Sequence, residues 1–411
     1  MSDIVVIGGG AAGMMAAVFA ARAGGNVTLL EKNEKLGKKV YITGKGRCNL
    51  TNDCERDEFL AQVPRNPRFL YSALNFFASR DMMALLEENG CPVTVQRGKR
   101  VFPSSEKASD VTRALASLLR KLNVLVCLNA EVRSLVKEDG ALTGVELKNG
   151  TVQKADAVIL ACGGISYPST GSTGDGYRFA ESLGHTVIPP SPVLVGLETE
   201  ETWPRSLQGL SLRNVTLTLS NGKKTLYAEL GEMLFTHFGI SGPLVLEASC
   251  HLPEKAEGCR ISIDLKPGLT REQLDARLRR DFSGSGKKQL KSVLPGLLPS
   301  TLAEIFPGLC EIDAALPCSQ VTAAGRETLL NMLKALPLTV RAPRPVAEAV
   351  VTRGGVSVKE IEPGTMRSKL IPNLYFAGEM IDVDAHTGGF NLQIAWSTGA
   401  LAGASAAGHY E

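Results

Sequence analysis

Gly8, Gly10 and Gly13 stand in the order G-x-G-x-x-G, and Glu31 lies at the end of the apolar run that follows. These types at this spacing suit the binding of a dinucleotide. Gly8 permits a tight turn, Gly10 lets backbone approach a pyrophosphate, and Gly13 lets a helix pack closely on a strand. A helix beginning at Ala11 would aim the unpaired N–H groups of Ala11 and Ala12 at the phosphates. Glu31, about twenty residues beyond the glycines, can accept hydrogen bonds from a ribose diol, which disfavours a 2′-phosphate there. The elements needed to hold these residues are all legible. Asp3 to Gly8 reads as a buried parallel strand, Ala11 to Arg22 as a helix closed by Gly24-Gly25, and Asn26 to Leu30 as a second strand.

The stretch GKKVYITGKGRCNLTN, residues 37–52, follows at the carboxyl edge of that sheet, where open α/β sheets bind ligands. It reads as a flexible, cationic loop. Lys38, Lys39, Lys45 and Arg47 could neutralise phosphates. Gly44 and Gly46 could turn backbone N–H groups toward a flat ring, and Thr43, Cys48 and Asn49 add short polar groups.

Two later segments return to the same chemistry. Cys162-Gly163-Gly164 follows a buried strand, Ala157 to Ala161. Gly378-Glu379 and Asp382 follow another, Leu374 to Ala377, and could bind polyol hydroxyls. Gly388-Gly389 precede a small-residue helix starting near Asn391, whose positive pole would favour negative charge in the crevice.

The elements in between are expected as follows. Helices cover 67–89 and 106–121, hairpins 93–102 and 131–147, a strand 124–127 and a helix 175–183. Pro189-Pro190-Ser191-Pro192 marks a break in composition. Short alternating runs from Val193 to about Leu265 predict a small β-barrel or sandwich, and residues 270–336 are helical and charged. With 411 residues and 44% hydrophobic content the chain is long enough for two or three domains. Its 45 basic and 42 acidic residues are too balanced to point to nucleic acid or an anionic membrane. Nine cysteines without a CxxC pair or metal-ligand spacing predict reduced thiols in a cytoplasmic protein and no metal. No leader segment is expected, because Met1-Ser2-Asp3 runs straight into a strand. No apolar run reaches the roughly 18 residues a membrane helix needs.

Four blocks carry a resemblance that covers nearly the whole chain: VVIGGGAAGMMAA, EKNEKLGKKVYITGKGRCNLTN, GEMLFTHFGISGPLVL and LYFAGEMIDVDAHTGGFNLQIAWSTGALAG. In these the sequence resembles the HI0933-like family of NAD(P)/FAD-dependent oxidoreductases, with a glutathione-reductase-type FAD fold. The resemblance implies an α/β, Rossmann-like FAD-binding domain over 1–190 and 345–411. It implies a β-barrel inserted at 191–268 and 336–344, and a small helical domain inserted in turn at 269–335. It implies FAD contacts from Gly8, Gly10, Ala11, Ala12, Gly13, Glu31, Lys32, the 38–49 loop, Val132, Cys162, Gly163, Gly378, Glu379, Asp382, Gly389, Asn391, Leu392 and Gln393. Related flavoproteins often place Asp where this chain has Glu379, so Asp382 is an alternative for the ribityl role.

The activity the resemblance implies is reduction of a carbon–carbon double bond conjugated to a carbonyl, in a steroid-like or bile-acid-like enone. One G-x-G-x-x-G unit leaves no second fingerprint for a resident nicotinamide, so NAD(P)H would dock transiently. Tyr41, Cys48, His237 and His386 are the proton-donor candidates, each with a purely structural alternative. FAD-dependent modification of RNA and a non-catalytic flavin redox sensor are the other two readings.

Overall fold

The computed structural model describes residues 2–408. The chain divides into two units, one made of residues up to 193 together with those from 345 onward, the other of residues 194–344.

In the first unit, five described strands form a parallel sheet. Their spatial order is Leu374–Phe376, Ala157–Leu160, Asp3–Ile7, Asn26–Leu30, Leu125–Cys127. Their apolar runs are unbroken because both faces are covered; Ile4 to Ile7, Val27 to Leu30 and Ala157 to Leu160 are all buried. Ile7 pairs in register with Leu30 on one side and Leu160 on the other, and Leu160 with Phe376. The residues just past these strands, Gly8, Glu31, Ala161 and Ala377, therefore emerge at one edge. The helix Ala11–Arg22 packs along Phe390–Ala406, the last helix described. Their contact is backbone on backbone: a Cβ at Gly399 would overlap the carbonyl of Ala12, and one at Gly403 that of Ala16. Glycine is required there because the two helices approach more closely than any side chain allows. Trp396, fully buried, donates from Nε1 to the Leu50 carbonyl at 2.9 Å and so ties the last helix to the segment after the first two strands.

One strand was not expected from the sequence. The proline-rich run read as a break is part of a strand, Val187–Val193, antiparallel to Val351–Val356. Proline cannot donate to a ladder, but the register slips between Ile188 and Ser191, and this bulge absorbs Pro189 and Pro190.

The second unit contains a closed barrel. Its strand order is Leu197–Thr199, Gly239–Ser241, Lys224–Thr236, Ser211–Asn221, Arg260–Asp264, Leu336–Pro343. The helices Arg271–Gly284, Ser300–Leu309 and Ala323–Lys334 share one core with it, in which Leu217, Phe235, Ile263 and Leu338 meet Leu278, Leu302, Phe306 and Leu330. Thr270 starts the first of these helices with a capping box, accepting from Gln273 N while the Gln273 side chain accepts from Thr270 N. Pro243–Ser249, inside the segment read as strands, is a helix with Pro at its first position, where the missing N–H costs nothing.

Candidate functional site: a glycine-lined edge of the parallel sheet

Gly8 has φ +104°, a conformation suited to glycine, and donates to the Leu30 carbonyl at 2.8 Å. A side chain on Gly13 would overlap the Gly8 carbonyl. Gly10 differs from both. Its φ of −79° suits any residue, and a Cβ there would meet nothing within 4 Å. It caps the first helix, so the open space lies beside the N–H groups of Ala11, Ala12 and Gly13, which have no partner within the helix. Glu31 is buried at the end of the second strand. Its carboxylate accepts from Gly9 N at 2.7 Å, Asn33 N at 2.8 Å and Asn33 Nδ2 at 2.6 Å. Glu31 thus braces the glycine turn, and its oxygens keep further lone pairs for a diol.

The expected flexible loop is an ordered turn. Lys38–Ile42 is a helix, and Gly44, Lys45, Gly46 and Cys48 all take positive φ. Buried Val40, Cys48 and Leu50 anchor it. The Thr43 hydroxyl donates to the Val40 carbonyl at 2.7 Å. With its side-chain amide turned over, Asn49 donates to the Thr51 carbonyl at 3.2 Å and accepts from Gly389 N at 3.0 Å. Most of the loop's charge is committed within the protein. Lys38 reaches Glu34 at 3.1 Å, Lys39 reaches Glu379 at 2.7 Å, and Arg47 pairs with Glu106 at 3.0 Å while stacking over Phe102. Lys32 is held by Asp175 at 2.5 Å. Lys45 alone of these five has no carboxylate partner among the described residues. Sequence spacing shows the cations but not the acids that fold onto them.

Glu379 is the centre of a polar hub. It accepts from Lys39 Nζ, from Ser166 Oγ at 3.1 Å and from Thr352 N at 2.9 Å. Burial acts to raise its carboxyl, but the Lys39 charge and these hydrogen bonds outweigh it and hold the carboxyl below the ordinary 4.5. Ser166 and Thr352 were not legible in the sequence. The glycine pair in VTRGGV, both at positive φ, was the available signal for the Thr352 strand. A group whose folded carboxyl is lowered stabilises the protein above its unfolded value and loses that contribution as pH falls through the folded one. Lys39→Met should therefore cost about 3–5 kcal/mol at neutral pH, because it strands a buried carboxylate. The gap between variant and wild type should narrow as pH falls below 4.5, where protonation of Glu379 removes what Lys39 stabilises. Urea unfolding of flavin-free protein at a series of pH values measures it, and a pH-independent gap would contradict the pairing.

Asp382 is buried. Its Oδ2 accepts from Asn66 Nδ2 at 3.2 Å and Arg65 Nη2 at 3.3 Å, while its Oδ1 is buried with no partner. Burial raises its carboxyl above the ordinary value despite Arg65. Tyr177 Oη is a second buried oxygen without a partner. Asp384, fully buried, takes a two-point ion pair from Arg353 at 3.1 and 2.7 Å.

The last helix begins at Phe390 with Gly389 as its cap, at φ +99°. Asn391 does not face the crevice with its amide; it clamps the chain before it through Ala385 N, Ala385 O and His386 O. The Gln393 amide is buried and consumed by Thr51 Oγ1 at 2.7 Å, the Phe77 carbonyl at 3.2 Å and Ser397 Oγ at 2.9 Å. Leu392 is partly exposed. Gly378, at φ +77°, donates to Thr398 Oγ1 at 3.0 Å and lies against Ala12, which a Cβ would meet at 2.7 Å. Cys162 points its thiol at the Ile7 carbonyl, and Gly163 follows at φ +72°. Val132 is buried at the head of the strand Val132–Glu138.

The four proton-donor candidates differ in their surroundings. Cys48 is buried, and burial pushes its thiol up to about 12. Tyr41 is partly exposed with the Lys35 ammonium 4.6 Å from its ring centroid. His386 holds Gln62 Oε1 through Nδ1 at 3.2 Å. His237 belongs to the second unit, exposed where Lys224–Thr236 turns into Gly239–Ser241, edge-on to Phe238. Among the described residues there is no group of His, Cys, Asp and Glu that could hold a metal. No described helix is long and apolar enough to cross a membrane.

Comparison with known proteins places this geometry. A family model described as the HI0933-like protein Rossmann domain matches residues 2–405. A curated protein of Clostridium scindens, named 3-dehydro-bile acid delta(4,6)-reductase, is 34% identical over 99% of both chains. One of Haemophilus influenzae, named ribosomal RNA dihydrouridine synthase, is 33% identical over 97% of this chain and 96% of its own. Among solved structures, a 3-ketosteroid-Δ4-(5α)-dehydrogenase from Rhodococcus jostii, bound to 4-androstene-3,17-dione, superposes with a TM-score of 0.54 at 16% identity. It covers 99% of this chain and 96% of its own, a likeness of fold.

Proposed function

Because the chain belongs to the HI0933-like family, we propose that it is an FAD-dependent oxidoreductase that saturates a carbon–carbon double bond conjugated to a carbonyl. One observation carries this. The two relatives, named for unlike substrates, are named for the same bond change. A 3-oxo steroid unsaturated at positions 4 and 6 and the uracil ring of uridine both present C=C conjugated to C=O. The steroid Δ4 bond and the uracil C5=C6 bond are each saturated by hydride at the β-carbon and a proton at the α-carbon, and the Δ6 bond, conjugated through Δ4, takes its hydride at the δ-carbon.

The residues fit FAD. The open space at Gly10, beside the N–H groups opening the first helix, suits a pyrophosphate. Glu31 would take the adenosine ribose and Val132 the adenine face. Asp382 Oδ1, a buried acceptor without a partner, would be satisfied by a ribityl hydroxyl. Gly378 and Gly389 let Ala12 and the Thr51 backbone pack closely beside this edge. The backbone opening the last helix would offer N–H groups and positive potential to the flavin's pyrimidine edge. Bound there, FAD would supply hydride transfer from a transiently docked NAD(P)H to the substrate. Burial, which pushes the Cys48 thiol up, favours a packing role for it over proton donation. Tyr41 and His386 of the first unit, or a water, would hold the proton for the α-carbon. Asp382→Asn should leave the flavin-free protein as stable or more so, because a carboxyl that burial disfavours is neutralised. It should also weaken FAD about tenfold, which flavin retention on dilution measures.

The substrate we assign first is a small cyclic enone. Uridine in ribosomal RNA is the second reading, favoured by the Haemophilus relative. The test is anaerobic. Flavin bleaching by NADH or NADPH is followed first. 4-Androstene-3,17-dione, or RNA lacking dihydrouridine, is then added to the reduced protein. Reoxidation by the enone with loss of its conjugated absorbance is expected. Reoxidation by RNA alone would move the assignment to the second reading. Protein that binds no flavin, or that neither nicotinamide reduces, would defeat the corresponding part of the proposal.

A further inference from the structure

The second unit holds a cavity of about 280 Å³ between the barrel and its helices. Its walls include the apolar side chains of Val215, Leu265, Leu298 and Pro299, and two cations, Arg213 and Lys266, share the lining. A bulge sets Arg213 in place. The ladder with Lys224–Thr236 slips between Leu212 and Val215, so Arg213 and Asn214 together oppose a single residue, with Asn214 at φ +55°. Such bulges redirect side chains out of the ladder.

No ion pair joins either cation to a carboxylate among the described residues; Arg213 is exposed with Glu232 opposite it across the bulge, whereas the acids beside the half-buried Lys266 are committed elsewhere. Asp264, which accepts from the Lys266 backbone N–H at 2.8 Å, gives its other oxygen to Lys334 at 2.5 Å. Asp281 is held by Arg277 at 3.4 Å. Burial, and then the charge of Arg277, depress the Lys266 ammonium below its ordinary value. Lys266 is therefore a partly desolvated cation beside like charges, with nothing opposite to it. Partly buried charges without partners are costly and rare away from ligand sites.

We propose that this cavity binds a small amphipathic anion, its carboxylate set against Lys266 and Arg213 and its short apolar tail against Leu265, Leu298 and Pro299. The volume lies just below the range of drug-sized pockets, roughly 300–1,000 Å³, which suits a short tail rather than a ring system. Aliphatic walls without a stacking aromatic argue against a nucleotide base as the occupant.

Titration calorimetry on the FAD-loaded full chain tests this, with octanoate, octan-1-ol and acetate as probes. Octanoate should bind at one site per chain, and more tightly than either other probe. Lys266→Gln and Arg213→Gln should each weaken it about tenfold, the loss of one charge-assisted hydrogen bond, with unfolding temperature and flavin spectrum unchanged. Lys223→Gln, an exposed lysine in the hairpin turn of the same barrel, should leave binding as it was. The proposal is overturned if octanoate does not bind, if octan-1-ol or acetate binds as tightly, or if Lys223→Gln weakens octanoate as much as the two cavity variants do.

Discussion

Gly10→Val should give a folded protein that carries no flavin. The backbone at Gly10 has φ −79° and ψ −165°, an extended conformation that a β-branched residue adopts readily. A Cβ there meets nothing within 4 Å, so packing gives no reason for the position to be glycine. The unfolding free energy of flavin-free protein should fall by no more than about 1 kcal/mol, the cost of a poorer helix cap. The added methyls, however, fill the space through which a pyrophosphate would reach the first helix. A loss of affinity on the order of a hundredfold, near 3 kcal/mol, is expected. The flavin-to-protein ratio after purification and an FAD titration measure it. A variant that keeps its full flavin complement would show that the cofactor lies elsewhere.

Gly13→Val, three residues along the same motif, should do the opposite and fail as a fold. A side chain there would overlap the Gly8 carbonyl and press on the Ala161 side chain at 3.4 Å. Helix, turn and the neighbouring strand's end all meet at this point, and none can yield without shifting the sheet edge. Overpacking of this kind costs about 1–3 kcal/mol and more where backbone is struck. A drop in unfolding temperature of roughly 5–10 °C, or insoluble protein, is expected. Loss of flavin without loss of stability would contradict the packing role. The two variants divide one motif into a position reserved for a ligand and a position reserved for the fold.

That division was legible beforehand because the motif's physics is local. The G-x-G-x-x-G turn, the helix after it and the strand ending at Glu31 are consecutive in the chain, so spacing was enough to find them. What escaped depended on distant partners. Lys39 reads as a phosphate ligand until Glu379 is seen to fold onto it. Gln393 reads as a cofactor contact until Thr51 and Phe77 are found at its amide. The strand Val187–Val193 was hidden by prolines that a bulge accommodates. Net charge is a weaker guide. A chain total of +3 argued against nucleic acid, yet a relative at 33% identity is named for ribosomal RNA. A whole-chain sum says little about the face that meets a substrate.

The contact between Ala11–Arg22 and Phe390–Ala406 bears on how the protein is made. The first helix leaves the ribosome early, with its apolar residues buried in the finished fold, yet its partner is synthesised nearly 400 residues later. At about 5–20 residues per second, that partner arrives some tens of seconds later. Until then the strip of Ala12, Ala16 and Ala20 has no helix to cover it. The nascent first unit must wait, shielded by a chaperone or held in a loose collapsed state, while residues 194–344 can build their own core first. Folding of this chain should therefore proceed from the middle outward, and the nucleotide-binding edge should be the last part to become competent.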